Sequence, residues 1–517
     1  MPPPTPVPRA VVRSSVVPMS PTAPQDTTWL HSRAPLSGEL IGTFPLTSEE
    51  GVSEVIDRAR LAARWWADLG WSARRSRLLT AKRYLARHAE ELVDLVHREM
   101  GKPRDDARLE VALSLEHLHW AAVHAERVLG EHRVPGGLLT INQRASLSYE
   151  PVGVVAVIGP WNYPVFTPIG SIAYALAAGN AVVFKPSEFA TAIGDWLARA
   201  FNSASTEHPL VQTVIGAGNV GAALATGGVD LVSFTGSSAT GRRILAACAP
   251  TMTPVVLECG GKDAVLVDDD ADIDAAADAI VYGAFSNAGQ TCVGVERVYA
   301  HRDIHDELVA AVAHRAQILR PGTHGEADYG PMTLPQASAT IRRHVADAIE
   351  RGARPVLGGV ESIDERTVEP IILTDVPEDS PAMTEETFGP TVAINSVRDL
   401  DEAVDRANAS GYGLAASIFG RTIPRVEAAA RRLRVGMVSI NSWVMYAGVP
   451  SLPWGGVGES GIGRIHGADG LRAFTQPRSV VRQRFALPIA LTSFERPAWA
   501  GKVVLAALRA RHGGWRG

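Results

Sequence analysis

The sequence predicts an α/β protein built on two parallel sheets, with a β-hairpin lying outside them. Three observations predict it. From Val152 onward, short apolar runs ended by Gly, Pro or Lys alternate with helix-like segments. A second such series begins near Ala264-Val265-Leu266-Val267 and runs past Ile418. Between the N-terminal helical segment and the first series, the pattern switches to alternation around a Pro-Gly-Gly turn. Runs that are apolar at every position are what a strand covered on both faces requires. At 517 residues the chain is too long for one core and should form two or three domains.

Taken in order, residues 1–27 are rich in Pro, Ser, Thr and Val and read as a flexible leader. Thr47-Ser48-Glu49-Glu50 is a helix start, and Val55, Ala59, Ala62, Ala63 and Trp66 continue the helix until Gly70 stops it. Ser72 is placed to cap the next helix, which carries Leu78, Leu79 and Leu85. Gly101-Lys102-Pro103 closes the following helix, and residues 105–129 are again helical by period. From His132 to Tyr149 a hairpin is expected, with Pro135-Gly136-Gly137 as its turn and alternation across Leu139, Ile141 and Leu147. The strands of the first series are expected at 154–158, 181–184, 210–215 and 231–234, with helices such as 169–178 and 190–201 between them.

Composition narrows the function classes. Hydrophobic residues make up 46% and charged residues 20%, as in an ordinary globular enzyme. A net charge of −5 offers no basic footprint for nucleic acid. Three cysteines, Cys248, Cys259 and Cys292, are too few for a disulfide scaffold, so a reducing, cytoplasmic location is expected. No run of about 18 apolar residues marks a spanning helix, and the Pro-rich N-terminus lacks the apolar core of a secretory signal. The histidines are scattered without metal-ligand spacing, so no metal is expected.

Three phrases carry chemistry. Asn287-Ala288-Gly289-Gln290-Thr291-Cys292-Val293-Gly294 puts a thiol in a Gly-bracketed turn, where a substrate can approach closely and backbone N–H groups can stabilise a thiolate. Val256-Leu257-Glu258-Cys259-Gly260-Gly261-Lys262 ends an apolar run on a carboxylate, whose partial desolvation would raise its pKa toward general-base use. Gly159-Pro160-Trp161-Asn162-Tyr163-Pro164 wedges a side-chain amide between two prolines. A nucleophile, a base and an amide donor are what acyl chemistry at a carbonyl requires. The bland alternatives are a buried small hydrophobe for the cysteine, a solvated carboxylate and a turn asparagine.

In this order and with these neighbours, the motifs resemble those of the NAD(P)-dependent aldehyde dehydrogenase superfamily over roughly residues 48–481. The resemblance implies a Rossmann-like cofactor domain (28–131 and 152–257), an α/β catalytic domain (258–455) and a bridging β-arm (132–151 and 470–487) that makes a homodimer or homotetramer. It implies Cys292 as nucleophile, Glu258 as the base that activates water against the thioester, and Asn162 with the Cys292 N–H as the oxyanion site. Cys248 and Cys259 are expected to pack as apolar side chains. Ile158, Pro160 and Trp161 fall in its cofactor region. Lys185-Pro186-Ser187-Glu188 matches the adenosine-ribose motif, where the glutamate disfavours a 2′-phosphate, so NAD is expected, with NADP as the alternative. Glu386 and Phe388, in Glu385-Glu386-Thr387-Phe388-Gly389-Pro390, would meet the nicotinamide ribose and ring. Asn441 and Pro453-Trp454-Gly455-Gly456 match the loop region closing the catalytic domain, with Trp454 where the family often has Phe.

One motif misleads. Gly216-Ala217-Gly218-Asn219-Val220-Gly221 follows a strand and has dinucleotide-fingerprint spacing, yet no acid follows about twenty residues on, where Gly241-Arg242-Arg243 stands. The resemblance places the pyrophosphate instead at Phe234-Thr235-Gly236-Ser237, whose helix start suits an anion, and leaves Gly216 and Gly218 near the adenosine.

Tyr163, Thr167, Gly170 and Trp443 are expected to line the aldehyde tunnel, with Gly170 widening it where some relatives carry a large aromatic. No arginine pair announces a carboxylated aldehyde, and the overall pattern is closer to relatives acting on medium-chain, long-chain or aromatic aldehydes. Two rival readings are a CoA-acylating dehydrogenase, which tends to lack the base at Glu258, and a catalytically silent scaffold paralogue.

The last forty residues form a basic-apolar extension (488–517 beyond the arm). From Arg478 on, its basic side chains face a single acid, Glu495, and are interleaved with apolar ones such as Ile489, Val503, Leu505, Leu508 and Trp515. It can cover a neighbouring subunit, or rest weakly on an anionic membrane as a peripheral contact.

Overall fold

The structure is a computed structural model that describes residues 28–323, 327–488 and 491–513. The expected leader at 1–27, and Ile489, Trp515 and Arg516 of the tail, lie outside the described residues.

Two sheets organise the chain. The first has six strands in the order 461–462, 255–258, 231–235, 154–158, 181–185, 211–213. All pair in parallel except Gly461–Ile462, which runs antiparallel to the strand ending at Glu258. Val154–Ile158 and Ala181–Lys185 are buried at every position, because helices cover both faces. Val155, Val157 and Phe184 pack into one core, while Val154, Ala156 and Val183 pack into another on the opposite face. The second sheet has seven strands, of which only Arg354–Leu357 is antiparallel.

The N-terminal helices follow their sequence signals with one exception. Helix Glu49–Asp68 is capped by Ser48, whose hydroxyl accepts from the Gly51 N–H at 3.1 Å. Its Trp66 is fully buried and donates its indole N–H to the Leu176 carbonyl at 2.7 Å, tying this helix to Phe166–Ala178. Gly101 ends the third helix with φ 70°. Ser72 does not cap the second helix. That helix begins at Gly70, which turns the chain with φ 74°, so Ser72 falls inside it and the start has no side-chain cap.

The hairpin is real but its turn is not an extension of the strands. His132–Val134 pairs with Gln143–Pro151, while Leu138–Thr140 forms a single helical turn and Leu139 and Ile141 are exposed. A third strand, Thr475–Gln483, pairs along the whole length of 143–151. Residues 470–473, expected in the arm, instead belong to helix Gly467–Ala473, which packs on helices Arg104–Leu129 and Phe166–Ala178. The strand expected at 210–215 is shorter, Val211–Thr213. The tail forms a helix, Ala498–His512, with Trp499, Val503, Leu505 and Leu508 exposed and Lys502 and Arg509 a turn from Leu505. Among the described residues no helix is long and apolar enough to cross a membrane.

Gly461 is where the late chain returns to the first sheet. Its φ is 136°, and a Cβ there would stand 1.9 Å from the Leu257 carbonyl oxygen. Gly461→Ala should therefore lower the unfolding free energy by about 1–3 kcal/mol, measured by denaturant titration. An unchanged midpoint would mean that the short strand beside Glu258 adjusts without cost.

Candidate active site

The cysteine turn is assembled from strained backbone held by amides. After helix Ile273–Phe285, residues Asn287, Ala288 and Gly289 take φ values of 52°, 58° and 68° in succession. Left-handed backbone costs non-glycine residues roughly 1–2 kcal/mol each, so it needs support. The Gln290 carbonyl accepts from Asn287 Nδ2 and from Asn162 Nδ2, both at 3.0 Å. The Gln290 side chain donates to the Asn287 and Pro331 carbonyls and accepts from the Thr333 N–H. A Cβ on Gly289 would lie 2.1 Å from the Gly389 carbonyl oxygen, so only glycine fits that close approach. Cys292 follows, half-buried, and Thr291 hydrogen-bonds the Tyr163 hydroxyl at 3.0 Å.

The amide loop is held by a buried ion pair that carries no motif. Lys102 Nζ lies 2.5 Å from Glu110 Oε2 and donates to the Asn162 carbonyl at 3.0 Å. Glu110 Oε1 accepts from the Val165 and Phe166 N–H groups. Asn162 is thereby fixed from both sides. One amide hydrogen of its Nδ2 goes to Gln290, which leaves the second to be offered elsewhere.

Glu258 ends strand Val255–Glu258, and it is buried with no hydrogen-bond partner for either carboxylate oxygen. Burial pushes its carboxyl well above the ordinary carboxylate range, opposed by the Arg464 guanidinium. Burial also pushes the Cys292 thiol up, and the carboxylates of Glu386, Asp263 and Glu258 add to this, against a hydrogen bond from the Val293 N–H. Backbone support for a thiolate comes here from the Val293 N–H, which burial and the three carboxylates oppose.

Cys292 and Glu258 both line one cavity of about 120 Å³, room for several waters or a short apolar chain. Tyr163, Thr167 and Trp443 line it too, and the Trp443 indole donates to the Val293 carbonyl at 3.2 Å. Gly170 does not. A Cβ there would stand 2.3 Å from His466 Nε2, so this glycine makes room for a buried imidazole behind the wall rather than widening the entrance. Sequence reasoning missed Leu109, Leu113, Phe166, Val444 and Ile465 of the lining. Leu109 and Leu113 were accessible as one face of helix Arg104–Leu129 by their spacing, but nothing local marked the others. Cys248 is buried, and Cys259 is buried beside Gly241 yet also borders the cavity.

The expected cofactor residues gather at one end of the first sheet. Strand order runs outward from Val154–Ile158 to 181–185 and 211–213 on one side, and to 231–235 and 255–258 on the other. The crevice beyond the carboxyl ends of 154–158 and 231–235 is a topological switch point, where such sheets bind ligands. Ile158, Pro160 and Trp161 follow the first of these strands, and Phe234, Gly236 and Ser237 the second. Ser237 caps helix Ser238–Cys248 by accepting from the Thr240 N–H, so a helix start faces that crevice. The fingerprint at 216–221 follows the outermost strand instead, and a Cβ on Gly216 would stand 2.3 Å from Val220 in the first turn of the helix that follows. Gly218 opens helix Gly218–Thr226 with nothing within 4 Å of where a Cβ would point.

Lys185 is buried with its Nζ 3.9 Å from Glu188 Oε2 and bonded to the Pro186 carbonyl, and Ser187 precedes Glu188 in the same turn. Burial lowers the lysine pKa, and Glu188 opposes this. On the facing side, Trp161 and Phe388 meet edge to face with centroids 5.7 Å apart. Glu386 rests on the Gly260–Gly261 backbone, accepting from the Gly261 N–H at 3.2 Å, and burial raises its carboxyl to about 8. Its loop is clamped by a second buried pair, Lys262 with Glu296, whose carboxylate takes the Thr387 and Phe388 N–H groups. Sequence reading passed over that pair as well. Among the described residues, the one close group of metal-ligand side chains is Asp268, Asp269 and Asp270, and it is engaged by Arg425.

Known proteins agree with this architecture. A curated relative from a Methylomonas species, 4,4′-diapolycopene aldehyde oxidase, is 38% identical over 88% of this chain and 86% of its own. A putative NADP-dependent succinate-semialdehyde dehydrogenase from Mycolicibacterium smegmatis is 33% identical over 87% of each. The crystal structure of lactaldehyde dehydrogenase from Escherichia coli superposes with a TM-score of 0.84 at 31% identity, covering 89% of this chain and 96% of that one. The aldehyde dehydrogenase family profile matches residues 22–480, and the chain belongs to that family.

Proposed function

We propose that the protein oxidises an uncharged, hydrophobic aldehyde to its carboxylic acid with NAD as acceptor, through a thioester on Cys292. The observation that carries this reading is that a thiol and an unpartnered, desolvated carboxylate, Cys292 and Glu258, open onto one largely apolar cavity. Relatives named for succinate semialdehyde leave room for a charged substrate. Against that, the one cation among the described lining residues, Lys102, is already paired with Glu110.

The Cys292 thiol gives its proton to solvent, its sulfur adds to the aldehyde carbon, and the developing oxyanion takes the free Asn162 amide hydrogen together with the Cys292 N–H. Bound nicotinamide dinucleotide supplies the two-electron acceptor for that carbon. Glu258 then removes a proton from water as the water attacks the thioester, which releases the acid and restores the thiol. Glu258 favours this hydrolytic route over CoA acylation and over a silent scaffold.

The residues fit a dinucleotide on two structural grounds: the capped helix start at Ser237 beside the switch point, and the open face above Gly218. Gly236 and Ser237 would hold the pyrophosphate, Lys185, Ser187 and Glu188 the adenosine ribose, and Glu386 with Phe388 the nicotinamide half. The three-stranded arm, with Val480 and Val481 exposed on its edge strand, is assigned to a homodimer or homotetramer, and the tail to cover between subunits.

Mixing the protein with NAD and a panel of aldehydes, with NADH absorbance as readout, tests the reading. Cys292→Ala should abolish oxidation and retain NAD binding. Glu258→Gln should give a stoichiometric NADH burst and then little turnover; normal steady-state turnover without a burst would remove Glu258 from the base role. Because Cys292 and Glu258 must both lose protons, and burial raises both, kcat/KM should climb with pH through and above neutrality. A profile flat from about pH 6 to 9, on either side of the ordinary thiol range, would contradict that. Replacing Glu188 with Ser should raise kcat/KM for NADP relative to NAD by removing like-charge repulsion from a 2′-phosphate. Unchanged selectivity would count against its ribose role.

A further inference from the structure

One wall of the cavity mouth is the first turns of helix Arg104–Leu129. Asp106, Leu109, Glu110 and Leu113 recur at helical spacing, and all four line the cavity. Two carboxylates of this helix therefore line the cavity, and their circumstances differ.

Glu110 is saturated by Lys102 and two backbone N–H groups. Lys102 is the single cation among the described lining residues, and its side chain is 1% exposed. Its Nζ is held by Glu110 and the Asn162 carbonyl and sits 4.0 Å above the Tyr163 ring, so it cannot turn to a ligand. Asp106 has no ion-pair partner among the described residues, and its Oδ1 takes only the Tyr282 hydroxyl at 3.4 Å. The arginines flanking it in sequence are engaged elsewhere. Arg104 pairs with Glu90 and Asp94, and Arg108 pairs with Glu90 and Asp105. The helix thus presents one carboxylate with no ion-pair partner among the described residues, beside Leu109 and Leu113; burial pushes that carboxyl up, and the charge of Lys102 with the Tyr282 hydroxyl pulls it down.

We propose that Asp106 is a charge-filtering residue, which passes uncharged aldehydes and repels those carrying a carboxylate at the far end of the chain. The proposal rests on the reading that the aldehyde carbon is bound at Cys292, since only then does the distal end of the substrate pass Asp106. A substrate carboxylate entering there would shed water, meet a like charge and find no free cation. A neutral chain would exchange water for Leu109, Leu113 and Val444.

The experiment compares kcat/KM for hexanal and for its ω-carboxylated analogue in the wild type, in Asp106→Asn and in Asp106→Glu. The wild type should favour hexanal. Asp106→Asn should shift the ratio toward the carboxylated aldehyde by about tenfold or more, chiefly through KM. Asp106→Glu, which keeps the charge, should restore wild-type discrimination. An unchanged ratio in Asp106→Asn overturns the filter while leaving the oxidation reading intact. Equal relaxation in both variants overturns it too, because packing rather than charge would then be responsible. If the wild type oxidises neither aldehyde, the parent reading falls and the filter with it.

Discussion

The carbonyl oxygen of Gln290 accepts hydrogen bonds from two side-chain amides, Asn162 and Asn287, that reach it from separate segments of the chain. On that junction rests the strained turn that presents Cys292. Three consecutive left-handed residues would not hold in solvent, where nothing offsets their cost. They hold here because each polar atom of the Gln290 side chain is also spoken for, and because Gly289 lets the backbone press against Gly389. The turn is a packing product, and the half-buried thiol follows at its end.

Two buried lysine–glutamate pairs act on the neighbouring loops in the same manner. Lys102 with Glu110 fixes the loop of Asn162, and Lys262 with Glu296 fixes the loop of Glu386 and Phe388. Such pairs contribute little net stability once desolvation is counted, yet removing one partner strands a charge at a cost of about 3–5 kcal/mol. Their value lies in geometry: the free lone pairs of each carboxylate take backbone N–H groups that would otherwise allow the loops to move. Desolvation that makes these pairs necessary also raises Glu258 and Cys292, so one apolar environment both orders the loops and raises the proton affinities of these two side chains.

Position in the first sheet separates two helix starts that look alike in sequence. Both Gly218 and Ser238 open helices after parallel strands. Only the second stands at the switch point beside Val154–Ile158, within reach of the loop that carries Trp161 and Asn162. Strand order is what tells these two helix starts apart, and glycine spacing does not carry it.

Much of the molecule was legible in the sequence because its signals are local. Strand and helix periods, the Ser48 cap, Gly101 at a helix end and the Cys292, Glu258 and Asn162 phrases depend on neighbours within a few residues. The errors fall where one local signal pre-empted another or a local rule met a distant constraint. Ser72 looked like a cap until Gly70 supplied the turn first, and Gly170 looked like an open wall until His466 filled the space behind it. Tertiary structure alone decided the partners of Lys102 and Lys262, the return of Gly461 to the strand of Glu258, and the lack of an ion-pair partner for Asp106 among the described residues. Each is a matter of which distant atoms come within a few ångströms, and of how far water is excluded between them. Neither quantity has a period or a spacing that a linear chain can display.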